Sequence, residues 1–106
     1  MEDSNKFINL TRLDWDLEKL VSLFHGKSKR ETLSMLAELS KEFSEFIVTS
    51  QHSDKHYLEE NEEGMRQFSS FFGNAMRVIQ YGTTQVELNL KEAQLPHLQR
   101  LLEITH

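Results

Sequence analysis

The feature that most constrains this chain is a hydrophobic period of roughly 3.6 residues that persists over two long stretches. In the first, Leu33, Leu36, Leu39, Phe43, Phe46 and Ile47 follow at steps that return to one helical face. Glu38, Lys41, Glu42 and Glu45 fall mostly on the other side. Ser28-Lys29-Arg30-Glu31 stands just before this run and has the capping-box form, in which Ser and Glu side chains satisfy the free backbone donors of a helix start. The spacing predicts a helix from Ser28 to about Ser50. The second stripe is Met65, Phe68, Phe72, Ala75, Met76 and Ile79, widened by Phe71 and Val78 and stopped at Gly82. Two long amphipathic helices in succession imply an antiparallel hairpin, with Phe43, Phe46, Phe68, Phe71 and Phe72 between them.

Shorter elements surround that hairpin. Leu13, Leu17, Leu20 and Phe24 predict a first helix that starts near Thr11–Asp14 and stops at His25-Gly26. Leu95, Leu98, Leu101 and Leu102 predict a last one, with Pro96 in its first turn. Asp54 is a candidate cap for the third helix. The polar stretch Glu59–Gly64 offers nothing to bury, and is expected to be a solvated first turn or a mobile loop. Val86, Leu88 and Leu90 alternate with polar residues, the period of a strand, and Lys6–Leu10 is a weaker strand candidate. The expected fold is therefore mainly α. It is a four-helix bundle-like single domain over residues 1–106, with a long central hairpin of helices 2 and 3 and a minor two-stranded β element. Residues 1–5 are expected to be disordered. A lone two-stranded ribbon is marginal in water, which favours pairing of these strands with a second chain, and hence a homodimer.

Composition narrows the function classes. The chain has 106 residues and no cysteine, so disulfides, thiolate zinc sites and a cysteine nucleophile are excluded. Seventeen acidic against twelve basic residues give a net charge of −5, which disfavours phosphate backbones and anionic lipid. Met1-Glu2-Asp3-Ser4-Asn5 is acidic and no apolar run follows, so no signal peptide is expected; no stretch approaches the ~18 apolar residues of a membrane span. A cytoplasmic location is the expectation.

Candidate chemistry is sparse. His52 and His56, with Glu59 or Glu60, would project from one face if the stretch were helical, and imidazole plus carboxylate at that spacing suits zinc or a similar ion. The competing reading is a solvated helix start with carboxylates near the positive dipole end. His25, His97 and His106 lie apart, and none sits in a recognisable catalytic order with a serine or carboxylate. Asp14, Asp16 and Glu18 are explained by the helix dipole, and the four glycines are scattered singly rather than gathered into a phosphate loop. Neither an enzyme nor a cofactor is expected.

Two binding readings remain. Lys6–Leu10, a helix, the turn Gly26-Lys27-Ser28-Lys29-Arg30 and a capped helix follow the layout of ribbon-helix-helix DNA binders, although only Lys6 and Asn9 would read bases. The other is a protein-interaction module acting as a regulator, inhibitor or adaptor. Phe71 and Phe72 point about 100° apart on a helix, and with Val78 they make an arc wider than one partner helix needs. Ser69 and Gly73 would let another backbone approach. This reading leads: a non-catalytic, homodimeric or partner-binding module using Phe71, Phe72 and Val78, or the basic turn at Lys27, Lys29 and Arg30.

Overall fold

The long hairpin is present and organises everything else. The computed structural model describes residues 10–86 and 94–106, which are mainly helical. Helix α1 spans Leu17–Ser22, α2 Lys29–Ser53, α3 Lys55–Glu60, α4 Glu62–Tyr81 and α5 Leu95–Ile104. Residues 10–12 are also helical. Among the described residues there is no strand. Of the expected β element, Leu10 is helical and wholly buried and Val86 lies in a bend. Residues 6–9 and 87–90 lie outside the described residues, as does the stretch 1–5 that was expected to be disordered.

α2 begins where its cap dictates. The Ser28 hydroxyl accepts from the Glu31 N–H at 3.1 Å and donates to the Glu31 carboxylate at 3.2 Å. This holds the first turn from both sides of the hydroxyl, rather than by the reciprocal backbone bond of a full capping box. Thr32, Leu36, Phe43 and Ser50 are its buried residues, one stripe along the helix. The helix runs three residues past the predicted end, to Ser53. Asp54 then breaks it with a non-helical backbone, φ −155° and ψ 70°, and caps α3, accepting from the Tyr57 N–H at 3.1 Å. Asn61 is the second break, its side chain donating to the Tyr57 carbonyl at 2.9 Å. Of the two expectations for the acidic stretch, the solvated helical turn is the one found, on both sides of Asn61, and the loop is not. Its lack of apolar residues is tolerated because Glu62 and Glu63 occupy the first turn of α4, where the dipole favours them. Gly82 closes α4 at φ 72°, a conformation only glycine adopts without strain.

α2 and α4 pack antiparallel, and theirs is the most extensive helix contact. Phe43 meets Phe72 at a 5.8 Å ring separation, while Ile47, one turn further along α2, shares a wall with Met65, earlier on α4. α5 packs on α4 and α1 packs on α5. The shortest dimension of the molecule is 18 Å, about two helix diameters.

The predicted first helix is two pieces. Asp14 and Trp15 take left-handed backbone at φ 53° and 56°, so the chain turns between residues 10–12 and α1. Asp16 restarts it, accepting from the Glu18 N–H at 2.8 Å. The reason is Trp15, whose indole enters the hairpin edge-on to Phe43 at 5.9 Å and to Phe68 at 5.2 Å, tilted over Phe46 at 5.9 Å. Its Nε1 donates to the Tyr57 hydroxyl at 3.0 Å. Such aromatic contacts are worth about 0.5–1.5 kcal/mol each beyond burial, and with the burial of the indole itself they oppose the ~1–3 kcal/mol that a strained residue costs.

Candidate protein-docking groove

Which faces of α4 are covered decides where a site can be. Phe71, Phe72 and Val78 are 0%, 1% and 0% exposed, so they form core and offer no surface to a partner. The sequence expectation for these three is corrected by the number of neighbours. Successive residues step about 100° around α4, which places Phe68, Phe72 and Ile79 towards α2, and Gln67, Phe71, Asn74 and Val78 on an adjacent strip. That strip meets the start of α5: Asn74 Nδ2 donates to Gln94 Oε1 at 3.4 Å, and Gln94 Nε2 donates to the Gln67 carbonyl at 3.4 Å. The arc is wide because two helices of the same chain cover it. Ser69 and Gly73 do remain exposed, on the side of α4 away from α5.

The basic turn is a fixed edge. Lys27 and Lys29 are half-buried and Arg30 is exposed. Gly26 N–H donates to the Ile104 carbonyl at 2.8 Å, His106 N–H to the Lys27 carbonyl at 3.0 Å, and Lys29 N–H to the His106 carbonyl at 2.9 Å. These three bonds tie residues 26–29 to residues 104–106 through the main chain. The ribbon-helix-helix layout needs a strand reaching Leu10, which is helical here.

His52, His56, Glu59 and Glu60 are not gathered into a metal-binding set. Among the described residues, no group of three or more His, Asp or Glu side chains stands close enough to hold an ion. The cause is the break at Asp54: His52 ends α2 and His56 begins α3, so the spacing of a single helical face is lost. His56 instead pairs with Glu60 on its own helix, in solvent. Among the described residues, the Lys19 ammonium is held above its ordinary value: the hydrogen bond it donates to Asp14 at 2.8 Å raises it, helped by the charges of Asp14 and Asp16. That pair is fully exposed and brackets the left-handed turn.

Among the described residues, a concave apolar surface lies on the far side of the hairpin from Trp15. Phe43 and Ile47 of α2, Leu58 of α3, and Met65 and Ser69 of α4 line a groove of about 300 Å³, with Glu62 and Arg66 at its rim. Phe43 and Met65 are its floor, at 7% and 5% exposure, while Ile47 and Leu58 are half-buried walls. A second depression of about 600 Å³ adjoins it, lined by Gln51, His52, Lys55, Leu58 and Glu59. Leu58 is common to both.

The chain matches no family model, no curated protein and no solved structure.

Sequence reasoning missed the groove because it assigned Phe43, Ile47 and Met65 wholly to core. It gave no role to Leu58, which stands directly before the polar stretch Glu59–Gly64. The usable signal was Asp54, a cap inside an otherwise continuous pattern. A short separate helix beginning there turns Leu58 towards the hairpin and Tyr57, its neighbour, towards Trp15 and Phe46.

Proposed function

We propose that this chain is a non-catalytic protein-interaction module that receives an apolar helical edge in the groove between α2, α3 and α4. The observation that carries the reading is the groove itself: an apolar floor of Phe43 and Met65, half-exposed aliphatic walls, and a small residue, Ser69, at the lip. A helix laid in such a groove buries its own apolar stripe and covers Ile47 and Leu58, which the single chain leaves partly wet. Met65 suits this role because an unbranched thioether adapts to differently shaped anchors. The site differs from the Phe71–Phe72–Val78 surface expected from sequence, although the mode of action, apolar contact with protein, is the same. In this reading the protein is a regulator, inhibitor or adaptor.

The test is a photoreactive benzoylphenylalanine at Ser69, irradiated in cells that make the protein. The expected result is a protein adduct at Ser69 that disappears when Leu58→Glu is added, with none from the same probe at Glu18 on α1. Equal labelling from Ser69 and Glu18, or none from Ser69, would overturn the reading.

A further inference from the structure

The charge distribution around the groove says what fits it. The chain carries 12 basic and 17 acidic residues, a net charge of −5, so two copies repel each other over most of their surface. The groove and its adjoining depression are an exception. Their charged walls are Lys55 and Arg66 against Glu59 and Glu62, a local sum of zero. Glu63, 3.9 Å from Arg66, adds one further negative charge at the edge, and most of the excess lies elsewhere.

A surface bearing both signs around a shared apolar floor is complementary to itself. Turned about a two-fold axis, the cations of one copy face the anions of the other while the apolar centres meet. A strongly basic partner would find only two anions among these walls, and a strongly acidic one only two cations. Arg66 and Glu62 are already paired along α4, but their side chains are 61% and 66% exposed. Solvent-exposed pairs of this kind contribute little and exchange partners readily.

An anchor and a clearance complete the argument. Val48 is 56% exposed, the most exposed large aliphatic residue among the described ones, and it points about 100° away from Ile47 of the groove wall, out from the chain's own groove. Ser69 and Gly73 lie one turn apart and exposed on α4, and nothing stands within 4 Å of a Cβ built on Gly73. Gly73 itself therefore presents no side chain to an approaching backbone, between the exposed Arg66 and Arg77.

We infer that the occupant of the groove is a second copy of this chain, the edge of α2 that carries Val48 in each copy packing into the α2–α3–α4 groove of the other. The inference rests on the helix-docking reading above and names its partner. It replaces the shared β ribbon as the basis for a homodimer, and it places the two-fold axis at the opposite side of the hairpin from Trp15.

The experiment is light scattering of the purified full chain from micromolar to near-millimolar concentration, on wild type and on Val48→Glu. Wild type is expected to approach twice the 12.5 kDa chain mass. Val48→Glu is expected to weaken that dimer about tenfold or more, as loss of a central anchor does, with an unchanged helical spectrum. Because Val48 is exposed, the variant is not expected to unfold; Ser69→Arg, also at an exposed position, gives a second route to the same loss. A wild-type monomer at every concentration overturns the second copy as occupant. So does a dimer that neither substitution disturbs. The helix-docking reading is judged separately by the Ser69 photoadduct: one formed with a different protein leaves that reading standing without the dimer, and no adduct removes both.

Discussion

Substituting Gly64 by alanine tests the central claim about how this fold is held, that Trp15 is seated against the backbone of α4. A Cβ built on Gly64 would lie 2.6 Å from Trp15 Cβ, 3.4 Å from Cγ and 3.6 Å from the Trp15 carbonyl oxygen. Two carbons settle at about 3.5–4.0 Å, so an overlap near 1 Å must be relieved. The relief is hard to find. Trp15 Cβ is fixed by a backbone at φ 56°, and the ring beyond it is held by Phe43, Phe46 and Phe68 and by the bond to Tyr57. Overpacking of this kind costs about 1–3 kcal/mol. Against it stands the helix propensity of alanine, worth up to ~1 kcal/mol over glycine in a helix interior and less in the first turn, where Gly64 sits. The net expectation is a loss of about 1–2 kcal/mol. With a urea slope of ~1–3 kcal/mol per molar, the midpoint should fall by roughly 0.5–1 M. The assay is urea unfolding followed in parallel by circular dichroism and by the fluorescence of Trp15, the one tryptophan in the chain. Gly73→Ala is the internal control: it lies in the same helix with nothing within 4 Å of its Cβ, so it should stabilise by up to ~1 kcal/mol. Opposite signs at the two glycines carry the reasoning. If Gly64→Ala matches Gly73→Ala, with an unaltered Trp15 emission, the close approach does not exist and the account of the turn at Asp14–Trp15 fails with it.

Phe71→Glu places a charge at a fully buried position with no partner, and is expected to cost more than about 4 kcal/mol and abolish cooperative melting by circular dichroism. A folded variant would return Phe71 to the surface. Ser28→Ala removes the acceptor of the Glu31 N–H and should cost about 1 kcal/mol, read from the chemical-denaturation midpoint; no change would mean that α2 does not depend on its cap. Zinc followed by chelation should leave the melting temperature unmoved, because His52 and His56 lie on different helices, and a zinc-dependent rise would show a ligand set that the break at Asp54 ought to prevent.

Much of the fold was legible where local chemistry and periodicity agree. Ser28, with Glu31 three residues later, announced α2, and Gly82 announced the end of α4, because capping depends on a few neighbouring atoms. The turn at Asp14–Trp15 was not legible. Leu13, Leu17, Leu20 and Phe24 satisfy a helical period, and only the burial of one indole between residues far along the chain forces the left-handed backbone between them. The faces of α4 were misjudged for a related reason. Periodicity measures how wide an apolar arc is, but not how many neighbours cover it, and α5 takes the strip carrying Phe71 and Val78. The metal candidates failed on a single residue, since His52 and His56 share a face only if no break falls at Asp54.

That same break ties the groove to the core. α3 is six residues long, and its ends, Asp54 and Asn61, are fixed by side-chain bonds to Tyr57 N–H and Tyr57 carbonyl. Tyr57 thus anchors both ends of the segment, and its hydroxyl accepts from Trp15 on the inner side of the hairpin. Leu58, one residue on, faces the other way and forms the wall shared by the groove and the depression beside it. Trp15, seated against Gly64, thus reaches α3 through Tyr57, although it is not among the residues that line the groove. The left-handed backbone at Asp14 and Trp15 therefore belongs to packing that also fixes one side of α3, the short helix whose Leu58 lines the groove.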